Sequence, residues 1–196
     1  METKIDIAGV VLETERLLLR PFQDSDLDDF FAYASVPGVG EMAGWAHHRT
    51  REDSRTVLSR FMEERDVFAI VHKRDGKVIG SVGVHDSWAT QDAQYSGLRI
   101  KDLGFVLSKD YWGQGLMPEA ARIVIDYCFR ELGLDALTCG HFVENTRSQR
   151  VIEKLGFHYV KTLKLHARTL GKRFDTKCYI LFKTSTSRVD REPAQR

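Results

Sequence analysis

The sequence predicts a mixed α/β domain: a mostly antiparallel sheet of six to seven strands, flanked by about four helices. Three observations carry that prediction. Asp75-Gly76 and Gly171 each separate two apolar runs, as hairpin turns do. The most regular helical pattern, Met117 to Leu132, lies between two strand patterns, and such a step needs one parallel pair. No repeat interrupts the chain, and no linker rich in Pro, Gly or Ser divides it, so residues 8–183 are expected to form one domain.

The elements follow in order. Leu12 to Phe22 (LETERLLLRPF) reads as a first strand, stopped by Pro21. Asp24-Ser25-Asp26-Leu27-Asp28-Asp29 sets capping and acidic residues ahead of Phe30 and Phe31, which predicts a helix start. Pro37, Gly38 and Gly40 break the chain, and a second helix runs from Thr50 to Arg65. Val67–Val71 and Lys77–Val84 are strands around Asp75-Gly76; Asp86 to Gly97 is a polar loop; Leu98–Leu107 is the next strand. The helix over 117–132 carries a polar stripe (Glu119, Arg122, Asp126, Arg130) and an apolar one (Met117, Ala121, Val124, Cys128, Leu132). Gly133 is its natural terminator. Ala136–His141 is a strand and Asn145–Leu155 a short helix ended by Gly156. Phe157–His166 and Arg173–Phe182 make a last hairpin, and 184–196 is a polar tail expected to fray.

Charge and composition exclude several classes. Lys plus Arg is 29 and Asp plus Glu 28, so the net charge of +1 supplies no field for gripping nucleic acid. No run reaches the roughly 18 apolar residues that span a bilayer. The start, Met1-Glu2-Thr3-Lys4-Ile5-Asp6, carries acids where a secretory leader carries a basic and then an apolar stretch. Cys128, Cys139 and Cys178 have no C-x-x-C spacing and read as buried free thiols, which fits a reducing cytoplasm. No Cys, His and Asp cluster has the spacing of a metal site.

One segment carries chemistry. Trp112-Gly113-Gln114-Gly115-Leu116-Met117-Pro118 lies between a strand and the strongest helix. Glycines let the backbone bend and bring N–H groups to an anion, and the helix start adds unpaired donors and a positive dipole end. Pro118 in the first turn gives up no needed hydrogen bond. That is the physics of a pyrophosphate seat, although a strand-to-helix turn also wants glycine. The P-loop pattern is absent, and the third glycine of a dinucleotide fingerprint is missing.

A second piece, Asn145-Thr146-Arg147-Ser148 through Lys154-Leu155-Gly156-Phe157, opens the next strand-plus-helix unit. Together the two pieces resemble the GNAT acyltransferase superfamily. Thr14-Glu15-Arg16-Leu17-Leu18-Leu19-Arg20-Pro21, Asp102-Leu103-Gly104-Phe105 and Tyr111-Trp112-Gly113-Gln114-Gly115 resemble its branch of ribosomal-protein N-terminal acetyltransferases. The resemblance covers about residues 12–182. It implies acetyl-CoA as cosubstrate, held by Trp112, Gly113, Gln114, Gly115, Leu116 and Met117 at its diphosphate. It also implies that the strand carrying Phe105, Val106 and Leu107 splays from its parallel neighbour near Cys139–Phe142, exposing backbone groups to the pantetheine arm. An N–H near Val106 would then face the thioester oxygen. Where many members carry Gln or Arg, three residues before the first glycine, this chain has Asp110, whose side chain is expected to point away from a diphosphate.

Acetyl transfer to an amine needs a proton acceptor and a partner for the leaving thiolate. The resemblance gives Asp102 the first role, where the branch usually carries Glu; the carboxylate could also simply end a strand. It gives Ser148 the second, because Ile152 stands where many members have Tyr; Ser148 also suits the first turn after an Asn145 cap. Asn145 is expected both to cap and to touch the pantetheine. Trp45, His48 and Trp88 are candidates for the acceptor side, with His48 an alternative base. Arg150 and Lys154 can meet the coenzyme's 3′-phosphate or form a solvated helix face. The acceptor is a primary amine, either a protein N-terminus or a small molecule, and a homodimer is common in the branch. The rival reading keeps the fold and CoA binding but not the chemistry, as a sensor or scaffold would.

Overall fold

A computed structural model describes residues 4–184. Along the chain, β1 (Leu12–Glu13) and β2 (Leu17–Pro21) lead into α1 (Leu27–Ala34) and α2 (Arg51–Glu64). Then come β3 (Val67–His72), β4 (Lys77–Asp86), β5 (Ile100–Leu107), α3 (Leu116–Arg130), β6 (Ala136–Phe142), α4 (Thr146–Lys154), β7 (His158–Ala167) and β8 (Lys172–Phe182). All eight strands form one sheet in the order β1-β2-β3-β4-β5-β6-β8-β7. Only β5 and β6 are parallel among the described pairs. The mixed, mostly antiparallel sheet with four helices is the predicted architecture. The expected tail, apart from Thr184, lies outside the described residues.

The strand count exceeds the expected six to seven because the first strand is two. Thr14 turns the chain: its N–H donates to the Leu17 carbonyl, and its hydroxyl oxygen accepts from the Leu17 N–H. Leu12 and Glu13 then fold back on Leu19 and Leu18. Helix ends follow their local chemistry. Thr50 caps α2 through the Asp53 N–H, with the Asp53 carboxylate returning to the Thr50 N–H. Asn145 caps α4 through the Ser148 N–H. The loop over 86–97 contains two short 3₁₀ turns, Trp88–Gln91 and Ala93–Tyr95.

The helices cover opposite faces of the sheet. Leu116, Ala120, Ala121 and Val124 of α3 pack with Leu19, Phe68, Ile70, Val82, Val84 and Leu103. Phe30 and Leu58 of α1 and α2 pack with Val67, Ala69 and Val78 on the other face. Side chains alternate along a strand. Leu103, Phe105 and Leu107 therefore join the α3 side, whereas Asp102, Gly104 and Val106 face the α1 and α2 side. The three cysteines are buried and free. Among the described residues no helix is long and apolar enough to cross a membrane.

Candidate active site

The parallel pair is short. Ile100, Lys101 and Asp102 match Ala136, Leu137 and Thr138, and the pairing then stops. Beyond it, β5 continues beside β4 as far as Leu107, and β6 continues beside β8 as far as Phe142. The gap between them opens into a cleft of about 1510 Å³. It is lined by Leu103–Leu107 on one side and Cys139–Phe142 on the other. Splaying is thus a property of the ladder here.

Alternation decides which backbone groups face the gap. Ser108 donates its N–H to the Ile79 carbonyl on β4, so even-numbered residues of β5 turn their amides toward β4. Phe105 and Leu107 turn theirs toward the gap, and the Leu107 carbonyl there accepts from the Trp112 indole N–H at 2.9 Å. The N–H expected near Val106 is therefore one residue to either side.

The glycine loop sits at the end of this cleft. Gly113 and Gly115 have φ of +76° and +75°, a region that favours glycine. Gly115 is the N-cap of α3 and has no side chain to cap it. The N–H groups of residues 113–117 find no acceptor among the described residues. An uncapped helix start with free donors is chemically fit for a diphosphate. Glu119 in the first turn would spoil that seat if its charge were free. Instead it accepts from the Thr14 hydroxyl at 2.6 Å and pairs with the Arg16 guanidinium at 2.6 Å. Burial alone would raise the Glu119 pKa, but the hydrogen bonds from Thr14 and Arg16 hold it below the usual carboxylate value. Arg16 also donates to the Gln114 carbonyl at 3.0 Å, so the β1–β2 turn fixes the loop.

The other predicted coenzyme contacts divide. Trp112 lines the cleft, with Arg147 4.6 Å over its ring. Leu116 and Met117 line it and also enter the core. The Gln114 side chain turns back to the Asp110 carbonyl, leaving only its backbone for the loop. Asp110 is exposed and outside the cleft lining, as its charge requires. Asn145 and Ser148 both line the cleft. Asn145 spends its amide on Met42 and its oxygen on the Ser148 N–H. Ile152 is fully buried.

Asp102 stands at the last paired position, half-buried, where the strands part. The Thr138 hydroxyl donates to its Oδ1. Because that hydrogen is committed, the Ser87 hydroxyl donates to Thr138 Oγ1 at 2.7 Å, and the Ala89 N–H donates to Ser87 at 3.0 Å. Desolvation raises the Asp102 pKa, with the Thr138 hydrogen bond and the His85 charge pulling the other way. This makes a stronger base than a free aspartate.

On the acceptor side, Trp45, His48 and Trp88 all line the cleft. His48 is wedged between Phe30 and Trp45, with Nδ1 2.7 Å from Ser54 Oγ. Burial lowers its pKa, which suits a packing group more than a charged one. Trp88 carries the Lys161 ammonium 4.3 Å over its ring. The residues the sequence did not suggest are Thr138, Arg147 and His85; His85 faces Asp102 across the β4–β5 ladder. Alternation along β4 is the one signal that could have placed His85 on the cleft face.

A parallel pair that parts beside an uncapped glycine-headed helix is the arrangement that the resemblance to the GNAT acyltransferases implies. The model of the acetyltransferase (GNAT) domain matches residues 16–158, and the chain belongs to that family. It is 28% identical over 178 residues to the protein named uncharacterized N-acetyltransferase YoaA of Bacillus subtilis (strain 168), covering 88% of this chain and 97% of that one. A GNAT-family acetyltransferase structure from Bacillus anthracis superposes with a TM-score of 0.77 at 23% identity, covering 88% of this chain and 98% of that one. The ribosomal-protein-S5-alanine acetyltransferase of Vibrio fischeri gives 0.70 at 22%, covering 89% and 97%. The chain is an acetyltransferase, and its family takes the acetyl group from acetyl-CoA.

Proposed function

We propose that residues 8–183 form a single cytoplasmic domain that moves the acetyl group of acetyl-CoA onto a primary amine, preferentially the α-amine of a protein or peptide. The observation that carries this reading is the gap beyond the Asp102–Thr138 pair, with a free-amide loop at one end and a carboxylate at the other. Acetyl-CoA supplies the activated thioester. The amides of residues 113–117 bind its diphosphate, and the open edge of Phe105–Leu107 binds the pantetheine arm. One of the gap-facing amides stabilises the oxyanion. Asp102 draws the proton from the acceptor, and Ser148 hydrogen-bonds the leaving sulfur.

Three arguments favour an α-amine. The cleft lining holds four Asp or Glu against five Lys or Arg, so no acidic excess selects a polycation. Deprotonating a lysine of pKa about 10.4 at pH 7.4 costs about 4 kcal/mol, against about 0.5 for an α-amine near 7.8. One structural neighbour is named for an alanine of a ribosomal protein, a residue whose only amine is its α-amine. The test is thiol release from acetyl-CoA over a panel of peptide N-termini, a polyamine, an aminoglycoside and a lysine side chain. The expected order puts peptide N-termini first. Coenzyme binding with no release on any amine would favour the sensor instead.

Two substitutions probe the coenzyme end. Ser148→Ala should lower kcat about 10-fold with little change in coenzyme affinity, because its bond forms as the thiolate leaves; steady-state kinetics check it. Arg16→Ala should weaken coenzyme binding several-fold with kcat nearly kept, since it releases both the Gln114 carbonyl and the Glu119 charge. Titration calorimetry reads that loss.

A further inference from the structure

Asp102 has a neighbour that the acetyl-transfer reading leaves without a task. His85 lies directly opposite it in the β4–β5 register, and Gly83 lies opposite Gly104 one step along the same face. The two glycines leave the sheet bare there, and the His85 imidazole leans over them. A Cβ on Gly83 would overlap Nε2, and one on Gly104 would lie 3.4 Å from Cδ2 and 3.6 Å from Nε2. The ring occupies space that only a glycine at position 83 leaves open, and at position 104 it rests at ordinary van der Waals distance.

The imidazole is also oriented. Its Nδ1 lies 3.0 Å from Asp66 Oδ2. An ionised carboxylate only accepts, so Nδ1 carries the hydrogen and Nε2 offers its lone pair. The second oxygen of Asp66 is buried and has no hydrogen-bond partner among the described residues. Such a carboxylate is costly beside a neutral group and far less so beside an imidazolium. The His85 side chain is 46% exposed and lines the cleft, so a proton held there can leave to solvent.

Charged groups face the ring from three elements. Asp66 comes from the segment before β3, Glu64 from the end of α2 and Asp102 from β5. The adjacent Asp86 is engaged by Lys101 at 2.7 Å. Desolvation lowers the imidazole's pKa, but the Asp66 hydrogen bond and the three carboxylate charges outweigh it and leave a net rise.

We propose that His85 is the proton-holding partner of Asp102: the proton that Asp102 draws from the acceptor ammonium comes to rest on His85 Nε2, with Asp66 stabilising the imidazolium. The proposal rests on the N-acetyltransferase reading. The first proton of R–NH₃⁺ goes through Asp102 to Nε2 and then to solvent. The freed nitrogen lone pair forms the N–C bond to the thioester carbonyl, and the C–S bond breaks with its electrons on sulfur. The second nitrogen proton ends on that thiolate, giving the amide and free CoA thiol. Reference values show why an imidazole is needed. From an α-amine near 7.8, transfer to a carboxylate near 3.9 is uphill by about four powers of ten; to an imidazole near 6.5 it is uphill by about one.

The test is the pH profile of kcat with one saturating peptide acceptor, for the wild type, Asp66→Asn and His85→Asn, beside CoA titration calorimetry as a control for the fold. Only the neutral imidazole accepts, so kcat rises with pH through the His85 pKa. Removing the Asp66 charge lowers that pKa, so Asp66→Asn should shift the rising limb to lower pH and keep the plateau. His85→Asn should lose about 10- to 100-fold at pH 7, recover toward the wild type at pH 9.5 and bind CoA normally. Should His85→Asn fail to bind CoA, His85→Gln serves in its place. Profiles that superimpose on the wild type, or that fall equally at every pH, overturn the assignment and leave the acetyltransferase reading intact. A wild type that releases no thiol on any amine overturns both.

Discussion

Asp102→Asn should lower turnover about 100-fold at pH 7 and much less at pH 9. A positioned base contributes typically about 10²- to 10⁴-fold. The amide keeps the shape and can still accept from the Thr138 hydroxyl, so only the charge and basicity are lost. At pH 7 most of an α-amine is protonated, whereas at pH 9 most is already free, so the need for a base shrinks as pH rises. Desolvation at the parting of the strands raises the Asp102 pKa, yet the group must be ionised to act. Activity therefore falls as pH drops toward that raised value. The check is kcat at both pH values with one saturating peptide acceptor. An equal fall at the two would remove Asp102 from proton transfer and leave it a strand-end residue.

Replacing both loop glycines, Gly113→Ala with Gly115→Ala, should weaken coenzyme binding about 10- to 100-fold. The reason is conformational. A Cβ on Gly113 would meet nothing within 4 Å, and one on Gly115 only the Arg16 guanidinium at 3.8 Å. The cost comes from φ of +76° and +75°, at about 1–2 kcal/mol per residue with a Cβ. Relaxing that strain swings the N–H groups of residues 113–117 away from convergence. The loop bears little of the core, so the thermal midpoint should move by only a few degrees while the affinity falls. Calorimetry with CoA beside a melting curve separates the two. Unchanged affinity in a folded variant would mean that the loop is only a turn.

The sequence showed most of this fold because its signals are local. Thr50 and Asp53, Asn145 and Ser148, and the hairpin at Asp75-Gly76 all act within a few residues. The first strand misled because LETERLLLRP reads as one strand, and the hydrogen bonds between Thr14 and Leu17 reveal the turn inside it. The site was legible where the backbone acts. Gly113, Gly115 and Asn145 announce a loop and a cap whatever lies across from them. It was opaque where distant side chains meet. Arg16 and Glu119 are 103 residues apart, and Thr138 reaches Asp102 across 36. His85 was hidden for the same reason: its value depends on Asp66, on the space left by Gly83 and on the register that sets it against Asp102.

At the centre of the account is a diphosphate gripped by backbone amides, with an acyl-bearing arm lying where β5 and β6 part. Titration calorimetry of the folded protein with acetyl-CoA, with CoA and with an acetylated pantetheine lacking the diphosphate tests it most directly. The account predicts one-to-one binding tighter than about 1 mM for both coenzyme forms, and binding at least about 10-fold weaker for the truncated arm. No heat from either coenzyme form at millimolar concentration, or equal affinity for the truncated arm, would contradict it.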